Sequence, residues 1–424
     1  MTATTHDVEI RRRATPEERR ATAIGIVMII LAAFVFWVFG LGVEAGSVST
    51  FNLSLPGAAI TDLVWEVNSQ WLAYAVALIL AFLGGLVLRR THLEWTNLAL
   101  AIGLGLLALA FLTWAASGKN FSLVGMLKST VVLSVPVILG ALSGLMCERV
   151  AVINIAIEGQ LLTAAFVGTI VGSAASIWVG LVAAMATGAI LGAVLAVLAI
   201  KFRIDQIIAG VVINIFALGL TSFLARRVLS QAQDLNSPGR FTAFKIPVLG
   251  DIPVIGPMFF DHNMFVYLTF ILVIFLHFAL FYTRWGLRSR SVGEHPKAAD
   301  TVGINVYRTR YRNVILGGVI AGFGGAFLTL AQVSRFEENL TAGIGFIGLA
   351  AMIFGRWMPL GVLGAGLVFG FARALQAKLG ILGTPIPSEF ISMTPYIVTI
   401  IVVAGVVGRA RPPAADGQPY IKDT

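Results

Sequence analysis

Charge is the first thing this sequence is short of. Only 12% of its 424 residues are Asp, Glu, Lys or Arg, about half of the roughly 25% found in soluble domains. A soluble globular chain is thereby excluded. Cysteine is nearly absent: Cys147 stands alone, which rules out an intramolecular disulfide and any multi-cysteine metal site. Five scattered histidines give no HExxH-type spacing. No GxxxxGK[ST] loop occurs; the nearest fragment, Ser117-Gly118-Lys119-Asn120, lacks both the spacing and the hydroxyl. Nothing here is built to cradle a phosphate. With so little polar chain, no separate globular domain of ordinary size fits outside a membrane.

What is present is apolar sequence, 58% of the whole. It falls into about twelve segments, near 21–43, 71–88, 96–114, 126–146, one starting near 152, then 177–200, 207–225, 264–282, 314–332, 344–354, 360–375 and 390–407. Some are too short to span a bilayer as straight helices. The expected fold is therefore all-α: a polytopic integral membrane protein with about 10–12 transmembrane or partly inserted helices. The first segment is longer than a signal-peptide core and lacks a small-x-small cleavage site, so it reads as a retained helix. Pro238, Pro247, Pro253 and Pro257 forbid regular helix in the long loop 226–262.

The net charge of +9 sits in short loops and does not point to nucleic acid. Alternating sides from a cytoplasmic amino end places 21 of the 30 Lys and Arg residues inside, as the positive-inside rule requires. Both termini are then cytoplasmic, with a tail at 1–20, less diagnostic helices at 21–125, a core at 126–408 and a second tail at 409–424. Glycine pairs four residues apart recur at Gly140/Gly144, Gly188/Gly192, Gly318/Gly322 and Gly366/Gly370; such spacing lets helices approach closely in lipid. No internal repeat is evident, which disfavours a secondary transporter built from two related halves.

Three constellations carry functional expectations. The first is 283–313, a polar island holding seven Lys or Arg residues. Within it Gly293, Glu294, His295, Pro296, Lys297, Ala298, Ala299 and Asp300 form a turn leading into a short helix. Pro296 suits its first turn, Glu294 its positive end, and Gly303 its stop. The second is Asn154, Glu158 and Gln160 in an otherwise apolar stretch. Either Glu158 faces a cavity, with Gly159 permitting an unwound helix, or Glu148 and Glu158 cap helix ends or pair with Arg149. The third is Gln206 and Asn214, eight residues apart and so about 80° apart around a helix. They either line a lumen or hydrogen-bond a neighbouring helix.

Taken in order, these motifs carry a resemblance. Gly293 to Val306, followed by Ala321-Gly322-Phe323-Gly324-Gly325-Ala326, resembles the cytoplasmic loop and next helix of ABC importer permeases of the branched-chain amino acid, simple-sugar and nucleoside family. Asn154-Ile155-Ala156-Ile157-Glu158-Gly159-Gln160 is similar to that family's VNIGLEGQ motif. The run from Gly345 to Gly361, and Thr394-Pro395-Tyr396 leading to Arg409-Ala410-Arg411-Pro412-Pro413, resemble its nucleoside-type members. The resemblance covers roughly residues 131–420, and His295 stands where Asn is commoner. It implies the ABC importer permease fold in a bacterial inner membrane, with a second and usually related permease completing the pore. An ATPase subunit carrying ATP and Mg would press on Gly293–Gly303, and a substrate-binding lipoprotein would deliver a nucleoside to the opposite face. This chain would bind no cofactor and do no bond chemistry. A bulky charge at Ala299 is expected to abolish stimulation of the ATPase. The alternatives are a simple-sugar permease, for ribose or galactose, an ion-coupled transporter, and a membrane enzyme. Glu158 and Glu389 are thin support for a proton relay, and no His/Cys/Asp cluster supports catalysis.

Overall fold

A chain crossing hydrocarbon has to pair its own backbone groups, because no water is there to do so. Runs of Leu, Ile, Val, Phe, Ala and Gly satisfy that demand as helices. The computed structural model describes residues 15–55, 63–89, 95–383, 387–393, 396–397 and 411–422. Among them, ten helices are long and apolar enough to cross a membrane, and an eleventh, Ile344–Phe354, is apolar but short. The expected segment at 390–407 lies largely outside the described residues, as do the amino-terminal arginines Arg11, Arg12 and Arg13.

The chain forms two compact units, the second starting in sequence near Val124. The first contains α1 (Pro16–Phe34), β1 (Val48–Asn52), β2 (Val64–Asn68), α2 (Ser69–Arg89), α3 (Thr96–Ala115) and β3 (Asn120–Ser122). The all-α expectation overlooked its three-stranded sheet, ordered β2-β1-β3. Its signal is local: Val48-Ser49-Thr50-Phe51-Asn52 alternates in burial, with Ser49 and Phe51 inward, as period-2 strand geometry dictates. The Ser49 hydroxyl, bonded to Ser69 Oγ and Thr113 O at 2.7 Å each, ties the sheet to α2 and α3.

The second unit contains α4 (Leu123–Glu148), α5 (Ile157–Ala174), α6 (Ile177–Ala196), α7 (Gln206–Leu224), α8 (Ile255–Phe259) and α9 (Met264–Tyr282). It continues with α10 (Arg284–Glu294), α11 (Pro296–Thr301), α12 (Val306–Phe327), α13 (Ile344–Phe354), α14 (Pro359–Leu382) and α15 (Ser388–Ser392). In the proline-rich loop, α8 is a single turn that does form, with Pro257 early enough that its missing N–H breaks no bond. Two short strands, β4 (Phe244–Lys245) and β5 (Asp261–His262), pair beside it.

The glycine pairs lie at helix crossings. Gly188 and Gly192 of α6 meet Gly318 and Gly322 of α12 backbone to backbone; a Cβ on Gly188 would sit 2.7 Å from Gly322 N. Gly366 and Gly370 of α14 face Ile138, Ser134 and Thr130 of α4, while Gly140 faces Gly348 of α13. Van der Waals contact between backbones supplies the cohesion that the hydrophobic effect cannot supply between helices in lipid. The substitution Gly188→Val should separate α6 from α12 at a cost of about 1–3 kcal/mol or more. Loss of the monodisperse peak in detergent, or a clearly lowered Tm, is the expected result; an unchanged Tm would show that the crossing tolerates side chains.

Candidate functional site

The polar residues singled out in the sequence gather around one discontinuity. Helix α4 ends at Glu148, and α5 does not begin until Ile157. Between them residues 149–156 fold back beside α4, so that Ile157 packs on Gly140 and Gly144. Those glycines lie one to two turns before the end of α4, so α5 starts about 6–12 Å inside it. The discontinuity precedes Gly159, where the sequence suggested unwinding. Its left-handed residue is Ala151, at φ 61°, a conformation uncommon for a residue with a Cβ. Gly159 serves another purpose: α7 approaches so closely that a Cβ there would sit 3.0 Å from both Ala217 Cβ and Asn214 Oδ1.

Gln206 and Asn214 do share a face of α7, and that face is turned onto the break. Gln206 Oε1 accepts from Ile153 N at 2.6 Å. Asn214 Oδ1 accepts from Gly159 N, and its Nδ2 donates to Ile155 O, both at 2.8 Å. Side-chain amides thus satisfy backbone groups that the missing helical turns leave unpaired. Asn154 Nδ2 donates to Gln160 Oε1 at 3.1 Å, both residues being fully buried. Among the described residues, Asn154 Oδ1 and Gln160 Nε2 have no hydrogen-bond partner.

Glu158 is bound from another direction. Its carboxylate accepts from Thr341 Oγ1 at 2.6 Å, Gly343 N at 2.8 Å and Gly345 N at 2.6 Å. It is therefore the cap of α13, whose own N-cap residue, Gly343, has no side chain to offer. An anion at a helix amino end meets both the free N–H groups and the positive end of the dipole. Thr341 and Gly343 do not stand out in the sequence, and Gly345 does so only as the start of the family-like run 345–361. The available signal was an apolar helix beginning at Gly-Ile-Gly with no cap of its own.

Glu148 does not pair with Arg149. It accepts from the Trp357 indole N–H at 2.6 Å, whereas Arg149 Nε donates to Trp357 O at 2.9 Å. Arg149 also lies over the Phe281 ring, 5.4 Å from its centre, with Arg290 4.9 Å from the same centre. Burial lowers the Arg149 pKa to about 10, the charge of Arg290 adding to this and that of Glu294 opposing it.

The island at 283–313 folds as α10, α11 and the start of α12. Pro296 occupies the first position of α11, and His295 caps it, Nδ1 accepting from Ala298 N at 3.1 Å. An imidazole thus performs here the task for which Asn is better known. Gly303, at φ 83°, provides the left-handed stop. Glu294 closes α10, and its carboxylate accepts from Ala414 N at 3.2 Å in the carboxyl-terminal segment. Of the α11 residues, Lys297 and Ala298 face outward, as do Thr301 and the neighbouring Val302, which is 74% exposed. Ala299 does not: it is 3% exposed and packs in one cluster with Val150, Val152, Val292, Val306 and Tyr420. A charge at Ala299 would therefore disrupt packing against the break before it tested any outer surface. Asp300 lies 3.8 Å from Lys422 Nζ.

Residues 411–422, which carry no docking signal in the sequence, seat against this assembly. Asp416 hydrogen-bonds through its carboxyl to Glu148, which requires one of the two to carry a proton. Burial pushes the Asp416 carboxyl above its ordinary range, against the opposing pull of Glu148, the Gly417 backbone and the Arg310 charge.

Two predictions follow from this geometry. Replacing Glu158 with Gln would turn an NH2 group toward the N–H donors of α13. Leaving one buried donor unpaired costs about 1–3 kcal/mol, read as a lowered Tm in detergent. An unchanged Tm with lost uptake would instead make Glu158 a substrate contact. The second concerns pH. A carboxyl whose pKa is raised by docking gives stability that is fully present below its free value and is lost as pH rises through its docked value. Docking of 411–422 against Glu148 and Arg310 should thus be tighter at about pH 5 than at about pH 7.5. Amide exchange of residues 414–418 and Tyr420, corrected for intrinsic rate, tests this; protection that grows with pH would contradict it.

Comparison with known proteins places this geometry in a family. The guanosine ABC transporter permease protein NupQ of Bacillus subtilis is 45% identical over 307 residues, covering 69% of this chain and 95% of its own length. The nucleoside ABC transporter permease protein NupC of Lactococcus lactis is 39% identical, over 68% of this chain and 94% of its own. A putative glucose ABC transporter permease protein of Haloferax volcanii is 32% identical, over 68% and 93% respectively. No solved structure matches the chain. The family described as "Branched-chain amino acid transport system / permease component" matches residues 126–403, and the chain belongs to that family of multi-pass membrane permeases.

Proposed function

We propose that this chain is the transmembrane permease subunit of an ATP-driven importer whose cargo is a nucleoside. The observation that carries the cargo is the 45% and 39% identity to permeases named for guanosine and nucleosides, each over nearly its whole length. The positive charge of 283–313 supports a cytoplasmic position for α10 and α11, in the plasma membrane of a bacterial cell with both termini inside. A partner ATPase carrying ATP and Mg docks on the outer face of α11 at Lys297, Ala298, Thr301 and Val302. His295, Pro296 and Gly303 hold that face in shape, while Gly293, Glu294, Ala299 and Asp300 fasten it to the rest of the second unit. A substrate-binding lipoprotein delivers cargo on the opposite side. Two guanosine permease proteins of one Bacillus strain, 45% and 25% identical to this chain, support a pore of two related but different subunits.

Of the five polar residues expected on the substrate path, we place Asn154 and Gln160 on it, because each keeps one amide atom without a partner among the described residues. Glu158, Gln206 and Asn214 support them. A sugar importer is the second reading, favoured by the Haloferax relative.

Uptake of labelled purine and pyrimidine nucleosides, with ribose alongside, in cells with and without the gene separates the two. Loss of nucleoside uptake with ribose unaffected is expected; the reverse would overturn the cargo assignment. Changing Val302 to Glu should leave insertion intact but remove the ATPase from the purified complex, and unchanged association would reject the docking face.

A further inference from the structure

Residues 411–422 bind more elements than a tail needs in order to lie flat. Ala415 N donates to Gly293 O at 3.0 Å, and Ala414 N to the Glu294 carboxylate at 3.2 Å, so the segment is bonded to the last turn of α10. Gly293 itself meets the carbonyl of Arg149, and a Cβ there would lie 3.4 Å from Pro413 Cβ. Gly417, at φ 74°, lies against Ile153 of the break; a Cβ on it would sit 2.8 Å from Ile153 Cδ1. Gln418 O accepts from Arg310 Nη1 of α12 at 3.1 Å. Tyr420 is buried in the cluster that holds Ala299, Val150 and Val152, and its ring centre lies 5.2 Å from that of Tyr307. Lys422 reaches Asp300 of α11.

Hydrogen bonding gives this segment a reason to be there. Arg310 is 1% exposed, and among the described residues its Nε and Nη2 have no hydrogen-bond partner, which leaves Gln418 O as the acceptor of its Nη1. A buried guanidinium is costly unless its N–H groups are bonded. Asp416 adds a second tie, its carboxyl hydrogen-bonded to Glu148 at the end of α4. One short segment thus joins α4, the break, α10, α11 and α12.

We propose that residues 411–422 are a transmission strap, with Asp416 its positioning residue, fixing α11 to the 149–156 break so that displacement of α11 reaches the Glu158 seat of α13. The proposal rests on the reading of α11 as the ATPase-docking helix. Without the strap the ATPase still docks and turns over, but its motion is absorbed at the α10–α11 hinge.

The test is made on the assembled complex in proteoliposomes, measuring ATP hydrolysis and nucleoside uptake together. With Asp416→Ala, the ATPase should still co-purify and hydrolysis should stay within about twofold, while nucleoside moved per ATP falls at least fivefold. Asp416→Asn, which keeps the hydrogen bond to Glu148, should restore that ratio to within about twofold. Should Asp416→Ala give no folded protein, Gly417→Val carries the test, since it lifts the segment off Ile153 with every charge in place and should show the same fall. A ratio unchanged in Asp416→Ala or Gly417→Val overturns the strap; so does a parallel loss of hydrolysis and uptake that Asn does not rescue. Val302→Glu separates the two claims: if it releases the ATPase while the strap variants keep their ratio, the strap alone is wrong. If it leaves the ATPase bound and stimulated, the docking reading fails first.

Discussion

Buried backbone N–H and C=O groups have no water to fall back on, and the 149–156 break leaves a run of them where α4 gives way to α5. Everything around the break answers that constraint. Gln206 and Asn214 bring amides to Ile153, Ile155 and Gly159, and glycine at 159 and 210 lets α7 come close enough to do so. Glu158, placed at depth by the same break, is held by the opposed amino end of α13. The break costs the helix some bonds but yields two ends whose relative position is fixed by hydrogen bonds, and such ends can be shifted together.

The polar groups of the second unit divide by surroundings. The Arg226–Glu338 pair is bidentate, and Arg226 holds the Glu338 carboxyl below its usual range; yet both side chains are well exposed, and such a pair adds little to stability. Arg310, Glu148 and Asp416 have far less water about them, so removing one partner strands the others at a substantial cost. The buried group therefore decides whether residues 411–422 stay in place. Through Tyr420 and Ala299, it joins the inner face of α11 to the break in a single apolar cluster.

Much of this was legible in the sequence. Long apolar runs gave the membrane helices because their signal is local and strong. Gly188, Gly192, Gly318 and Gly322 announced close packing, though not which helix meets which. The turn, cap and stop of α11 could be read from Pro296 and Gly303, since each acts on its own backbone. What escaped was non-local. The carboxylate of Glu158 caps a helix that begins 186 residues later, at Ile344, and no spacing rule connects the two. Ala299 looked like a surface position because a two-turn helix in a basic loop has no periodicity long enough to show which side is buried. Asp416 was invisible for a similar reason: its significance comes from Glu148 and Arg310, on two other helices. The small sheet at β1 was missed because five residues of alternating burial are overshadowed by the apolar runs on either side.

The central claim is that α11, the break and the amino end of α13 move as one body. Spin labels at Val302 and Phe346, both exposed, report it directly by double electron–electron resonance in the assembled importer, without nucleotide and with ATP trapped. The account predicts the same single, narrow distance in both states while the pore changes its side of access. A shifted distance, or a second population appearing with ATP, would contradict it.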